Sequence, residues 1–219
     1  AALLPGLLLQ FIKGKTMKKF TECLNDLMDY FILGDPAALS SFQQKHQLPD
    51  DLITEFTTQD IGDQVVEQGV IIPLAGIENY PYTIYFNLEG ELSIFDKQES
   101  DLQFHKKGYI LEVQSGEVYL FTMPYLRNWP KGFEMLQNKQ IRPKITLANG
   151  WYQVEVLGGE VNTEEGWEPT FEFQLQPCKL VNPAFIGFWS TILPKVLPSG
   201  APNKSPDCPY LPSSASAYF

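Results

Sequence analysis

The chain has 219 residues, 44% hydrophobic and 13% aromatic, with a formal net charge of −10. That size and composition suit one sizeable core and exclude wholesale disorder. The charge argues against a nucleic-acid binder, which needs clustered Lys and Arg to neutralise phosphate; residues 17–177 alone hold 11 basic and 25 acidic side chains, a net of −14.

Residues 1–16, "AALLPGLLLQFIKGKT", read as an apolar leader foreign to the native protein. The positive charges follow the apolar run and no small-x-small site succeeds it, so it is not a signal peptide. It is also shorter than the roughly 20 residues needed to span a bilayer. Lys13-Gly14-Lys15-Thr16 matches what a translated ribosome-binding site looks like, and Met17 then starts "MKKFTECLNDLMDYF" as a bacterial protein would. Cys23, Cys178 and Cys208 are odd in number and lack C-x-x-C spacing. A disulfide framework is not expected, and the predicted home is the cytoplasm, with no membrane association.

Residues 17–60 are predicted to be a helical segment packing on a sheet. Phe20, Cys23, Leu24, Leu27, Met28 and Phe31 recur at spacings of three and four, one buried stripe. Gly34 stops that helix, and Asp35-Pro36 supplies an N-cap and an N1 proline for a second helix through His46. "LPDDLITEF" opens a third.

From Gln68 the period changes to two. Residues 61–177 are predicted to be an antiparallel β domain of three hairpins: "YTIYFNLEGELSIF", "YILEVQSGEVYLF" turning at Ser115-Gly116, and "KITLANGWYQVEV" turning at Ala148-Asn149-Gly150. "TFEFQLQ" is the last strand, and a short helix is expected at 131–138. Seven prolines make 178–219 a Pro-rich irregular tail. The fold class is therefore α+β: N-terminal helices followed by an antiparallel β-sandwich or partly open barrel of about 7–8 strands.

Catalytic signatures are missing from the chain. His46 and His105 stand in no recognisable motif, there is no G-x-S-x-G, and Gly158-Gly159 lacks the lysine and Ser/Thr of a phosphate loop. The Cys and His spacings do not match a zinc site, nor the acidic groups a calcium loop. No cofactor, no metal and no enzymatic activity are expected.

The stretch "GWYQVEVLGGEVNTEEGWEP", Gly150 to Pro169, is the feature to explain. Tyr152, Val154 and Val156 share one face as core, while Trp151 lies on the polar face and Trp167 at the end of the loop. Exposed aromatics beside carboxylates suit a protein-binding patch, the aromatic as a desolvated anchor and the charges as steering groups. The candidate partner-binding residues are Trp151, Glu160, Glu164, Glu165, Trp167 and Glu168. Three alternatives stand beside this: a small-ligand or carbohydrate-binding β domain on Trp129, Trp151 and Trp167, with Tyr80, Tyr82, Tyr109 and Tyr152; a small hydrolase using paired carboxylates; or a structural protein.

Residues 142–177, "RPKITLANGWYQVEVLGGEV…TFEFQLQP", resemble the terminal hairpin of bacterial proteins related to the competence nuclease inhibitor and to toxin-immunity proteins. In these, "GWY-x-V-x-V" recurs as a penultimate strand. The resemblance implies a small cytoplasmic protein that neutralises a toxin, often a nuclease, by binding it; the charge of −14 over residues 17–177 suits a basic partner of that kind. It transfers no inhibitory residue to a position in this chain.

Overall fold

The computed structural model describes residues 17–23, 29–88, 90–139 and 141–179. The expected leader and all but the first two residues of the expected tail lie outside them. Among the described residues, two open sheets stack face to face, with most helices against the outer surface of one and a single short helix on the outer surface of the other. The first sheet holds β1 (Met17–Cys23), β4 (Tyr82–Asn87), β5 (Ser100–Val113), β8 (Gly150–Thr163) and β9 (Gly166–Cys178), ordered β1-β4-β9-β8-β5. The second holds β2 (Tyr30–Gly34), β3 (Ile71–Ala75), β6 (Glu117–Thr122) and β7 (Lys144–Thr146), ordered β3-β2-β6-β7.

The α+β class stands, but the helices are interspersed with the strands. The stripe predicted as a helix over 20–31 runs through β1 and β2 instead; its Leu24, Leu27 and Met28 lie outside the described residues. For β2 the reason is double burial. Phe31 and Leu33 of β2 enter the core between the sheets, while Ile32 on the other face packs under the helices. A strand covered on both faces loses its alternation and reads as a continuous apolar run. The second and third helices form as expected, α1 (Pro36–His46) and α2 (Leu52–Thr58), and α3 (Ile61–Glu67) is an addition. The expected helix at 131–138 lies within α5 (Trp129–Lys139), entered through a 3-10 helix over Met123–Asn128.

All three predicted hairpins are replaced by other connections. After β4 the chain forms α4 (Ile94–Lys97) rather than a partner strand. Strands β5 and β6 belong to different sheets, as do β7 and β8, so residues 114–116 and 147–149 are corners crossing the sandwich. The domain is also not purely antiparallel, because β4 and β9 run parallel.

Asp35 explains how the first corner is held. It is fully buried, and its Oδ1 accepts from the Ala37 N–H at 2.8 Å as the α1 N-cap. Its Oδ2 accepts from the N–H groups of Gln114 and Ser115, each at 2.7 Å, and Ser115 Oγ donates to Oδ1 at 2.8 Å. The second corner joins the first through Asn149 Nδ2, which donates to the Gln114 carbonyl at 2.6 Å. Corners and helix start are thus one knot, which sets where β8 begins.

The main core is shared by both sheets: Phe31, Leu33, Ile72, Leu74, Val118 and Leu120 meet Tyr82, Ile84, Phe86, Tyr152, Val154, Val156, Phe171, Phe173 and Leu175. A second core lies between the four-stranded sheet and the helices, around Trp129, Phe121, Phe42 and Phe56. A third, smaller cluster of Tyr85, Leu157 and Val161 sits on the outer face of the five-stranded sheet under Ile94 and Phe95 of α4.

Candidate functional site

Strands β8 and β9 pair from Trp151 opposite Cys178 to Thr163 opposite Gly166, leaving only Glu164 and Glu165 in the turn. The expected four-glutamate loop is therefore mostly ladder. Gly166 has φ +112, a left-handed conformation that suits glycine at the exit of so tight a turn. Thr163 Oγ1 braces the turn by accepting from the Glu165 N–H at 3.2 Å.

The six predicted site residues separate. Glu164 and Glu165 are exposed, and Trp167 is 41% exposed. Glu168 is half-buried and internally engaged: Thr163 Oγ1 donates to its Oε1 at 2.9 Å, Thr83 Oγ1 to its Oε2 at 2.8 Å, and Lys19 Nζ stands 3.7 Å away. Strand alternation sends it to the face opposite Trp167. Glu160 is buried, with 1% exposure. Trp151 is half-buried, its ring so close to Gly69 (φ +67) that a Cβ there would come within 2.7 Å. Trp151 lies eleven rungs from Asn162, the residue opposite Trp167. At about 3.3 Å per residue the two tryptophans stand roughly 36 Å apart, at opposite ends of the hairpin.

The structure adds two acidic residues to the tip that sequence reasoning did not select. Asn162 donates from its N–H to the Glu99 carbonyl at 2.8 Å and from Nδ2 to Glu99 Oε2 at 2.7 Å. Asp101 is the register partner of Glu160. Both acids are exposed, so the hairpin end presents Glu99, Asp101, Glu164 and Glu165 with Trp167. Pairing across some sixty residues leaves no local signal, so no spacing rule could have found them.

The alternative ligand surface loses its geometry. Trp129 is 1% exposed, its Nε1 donating to Ser40 Oγ at 2.9 Å and its ring stacked on Phe133. Tyr82 and Tyr152 are buried, the latter as expected for core, while Tyr80 is 36% exposed. An apolar depression lined by Tyr30, Ile53, Phe56, Pro73 and Met123 holds about 20 Å³, room for about one water.

Other titratable groups pair on open sheet surface. His105 Nε2 lies 2.6 Å from Glu155 Oε2, and Lys107 Nζ lies 3.2 Å from the same oxygen. Burial pushes the Glu155 carboxyl up, but the hydrogen bonds from His105 and Lys107 outweigh it and hold it below the usual glutamate range. Burial raises the Cys23 thiol to about 11, against a smaller opposing pull from Arg142, so this cysteine is a poor nucleophile. Among the described residues no three His, Cys, Asp or Glu side chains are placed to hold a metal ion, and no helix is long and apolar enough to cross a membrane.

No protein-family model and no curated protein sequence matches this chain. Two solved structures are similar to it. One is ComJ from Bacillus subtilis, an inhibitor of the DNA-degrading activity of NucA, at 13% identity and a TM-score of 0.38 over 74% of this chain and 95% of that one. The other is the product of crocagin biosynthetic gene J, at 12% identity and a TM-score of 0.41 over 75% of this chain and 97% of that one. Likenesses this distant carry no argument about what this chain binds.

Proposed function

We propose that the chain is a cytoplasmic protein-binding module of the immunity or inhibitor type, docking a basic protein partner such as a toxin or nuclease on the acidic end of the β8–β9 hairpin. The observation that carries this reading is Trp167, 41% exposed, beside the exposed Glu164 and Glu165 at the tip. A partly exposed indole supplies apolar area at low entropic cost, and surrounding carboxylates steer a basic partner while an aromatic anchor holds it. The resemblance of residues 142–177 to nuclease-inhibitor hairpins falls on β7, β8 and β9, which include this tip. In this reading Glu164, Glu165 and Trp167 are contact residues, Glu168 braces the turn, and Trp151 and Glu160 support the hairpin from within.

The test begins with capture of a partner from the source cells, followed by kinetics against the purified partner. Replacing Glu164 and Glu165 by Lys is expected to slow association about tenfold at low salt, with the difference shrinking as salt rises. Trp167→Ala is expected to speed dissociation, at a cost of about 2 kcal/mol in affinity. Unchanged kinetics in both variants would remove the hairpin tip as the docking site.

A further inference from the structure

We propose that Glu91–Glu99, the segment containing α4, is a strap that opens as a unit of its own, latched to the sandwich by the carboxylate of Glu172. Glu172 lies in β9, fully buried on the outer face of the five-stranded sheet. Its Oε2 accepts from Ser93 Oγ at 2.5 Å and from the Ile94 N–H at 2.8 Å. Its Oε1 accepts from Asn87 Nδ2 and Gln174 Nε2, each at 3.0 Å. All four donors are neutral, and two of them belong to the first turn of the strap. Asn87 adds to the latch: its Oδ1 accepts from the Glu91 N–H at 3.0 Å, and its Nδ2 also donates to the Glu91 carbonyl at 2.7 Å. The far end is tied to Asn162 through Glu99.

Between those ties Ser100 Oγ of β5 donates to the Phe95 carbonyl at 2.6 Å, and the apolar anchor is confined to two side chains. Ile94 and Phe95 are the strap's side chains in the outer cluster with Tyr85, Leu157 and Val161. A four-residue helix does not hold itself together, because nucleation costs more than one turn returns. The strands beneath are secured independently, by their ladders and by the core on the opposite face. Segments with few buried apolar contacts open at lower free energy than the body they cover. Burying a carboxylate is tolerated because its donors satisfy it, so loss of those donors is what releases the strap. Opening would uncover Tyr85, Leu157 and Val161 next to Leu102, already 45% exposed and paired in register with Gly159.

The experiment is native-state hydrogen exchange on the full chain at several low denaturant concentrations. It compares the amides of Ile94, Asp96, Lys97 and Gln98 with those of Phe171 and Phe173. In the wild type, the strap amides are expected to exchange through an opening with weak denaturant dependence, while the β9 amides follow global unfolding. Glu172→Gln should speed strap exchange at least about tenfold and leave the difference between strap and β9 wider. Should Glu172→Gln fail to fold, Ser93→Ala removes one donor and carries the same expectation in smaller measure. Wild-type strap amides that share the β9 rates and denaturant dependence would overturn the proposal. So would strap amides with no protection at all, or variants that speed strap and β9 equally.

Discussion

At the scale of single residues, acidic composition and acidic surface come apart. Asp35, Glu160 and Glu172 are acidic side chains with at most 1% exposure, and Asp35 and Glu172 serve as multiple acceptors for backbone and side-chain donors. Asp35→Ala is predicted to cost about 2–4 kcal/mol in urea denaturation, because it removes a helix cap and takes the shared acceptor from the N–H groups of Gln114 and Ser115. The tryptophans divide the same way. Trp129→Ala is expected to cost about 3–5 kcal/mol of stability, whereas Trp167→Ala is expected to leave the unfolding midpoint nearly unchanged. Part of this was legible beforehand: Asp35-Pro36 announces a cap, and alternation places Tyr152, Val154 and Val156 inside. The second role of Asp35 was not, because its partners at 114 and 115 come near only after the sandwich has formed.

At the scale of elements, turn residues were visible but their consequences were not. Ser115-Gly116 and Asn149-Gly150 do turn the chain, yet each turn carries it into the other sheet. Turn chemistry is local, whereas the choice between pairing back and crossing over depends on which strands lie alongside. Gly158-Gly159 shows the same dependence. A Cβ on Gly158 would lie 2.2 Å from the Phe104 ring, and one on Gly159 would lie 2.0 Å from the Asp101 carbonyl oxygen. The pair lets β5 cross β8 closely where their register shifts between Leu102 and Phe104. Gly159→Ala is predicted to destabilise by about 1–3 kcal/mol, since backbone must move to admit it. A similar loss should appear in the protection of β5 amides, and normal protection there would contradict the packing role.

At the scale of the whole molecule, charge sets the response to acid. Glu117 is held below the usual glutamate range first by the hydrogen bond from Lys144, and Glu155 is lowered despite its burial. A carboxyl depressed in the folded state contributes stability that is fully present above its unfolded value near 4.5 and is lost as pH falls through the folded value. The urea midpoint is therefore expected to decline as pH drops below about 4.5, and less steeply in Glu155→Gln. A profile identical in wild type and variant would show that Glu155 contributes nothing to this decline.

The five-stranded sheet has its last strand in chain order, β9, at its centre, antiparallel to β8 and parallel to β4. Until residue 178 has left the ribosome, β1 with β4 and β5 with β8 are two ribbons with no strand to join them. Thr83 meets Thr170 only after the intervening chain has been made. Such long-range closure is slow and leaves unpaired edges exposed in the interval. A nascent chain arrested before β9 is thus predicted to recruit chaperones and resist no protease, and one arrested beyond it to become resistant in a single step.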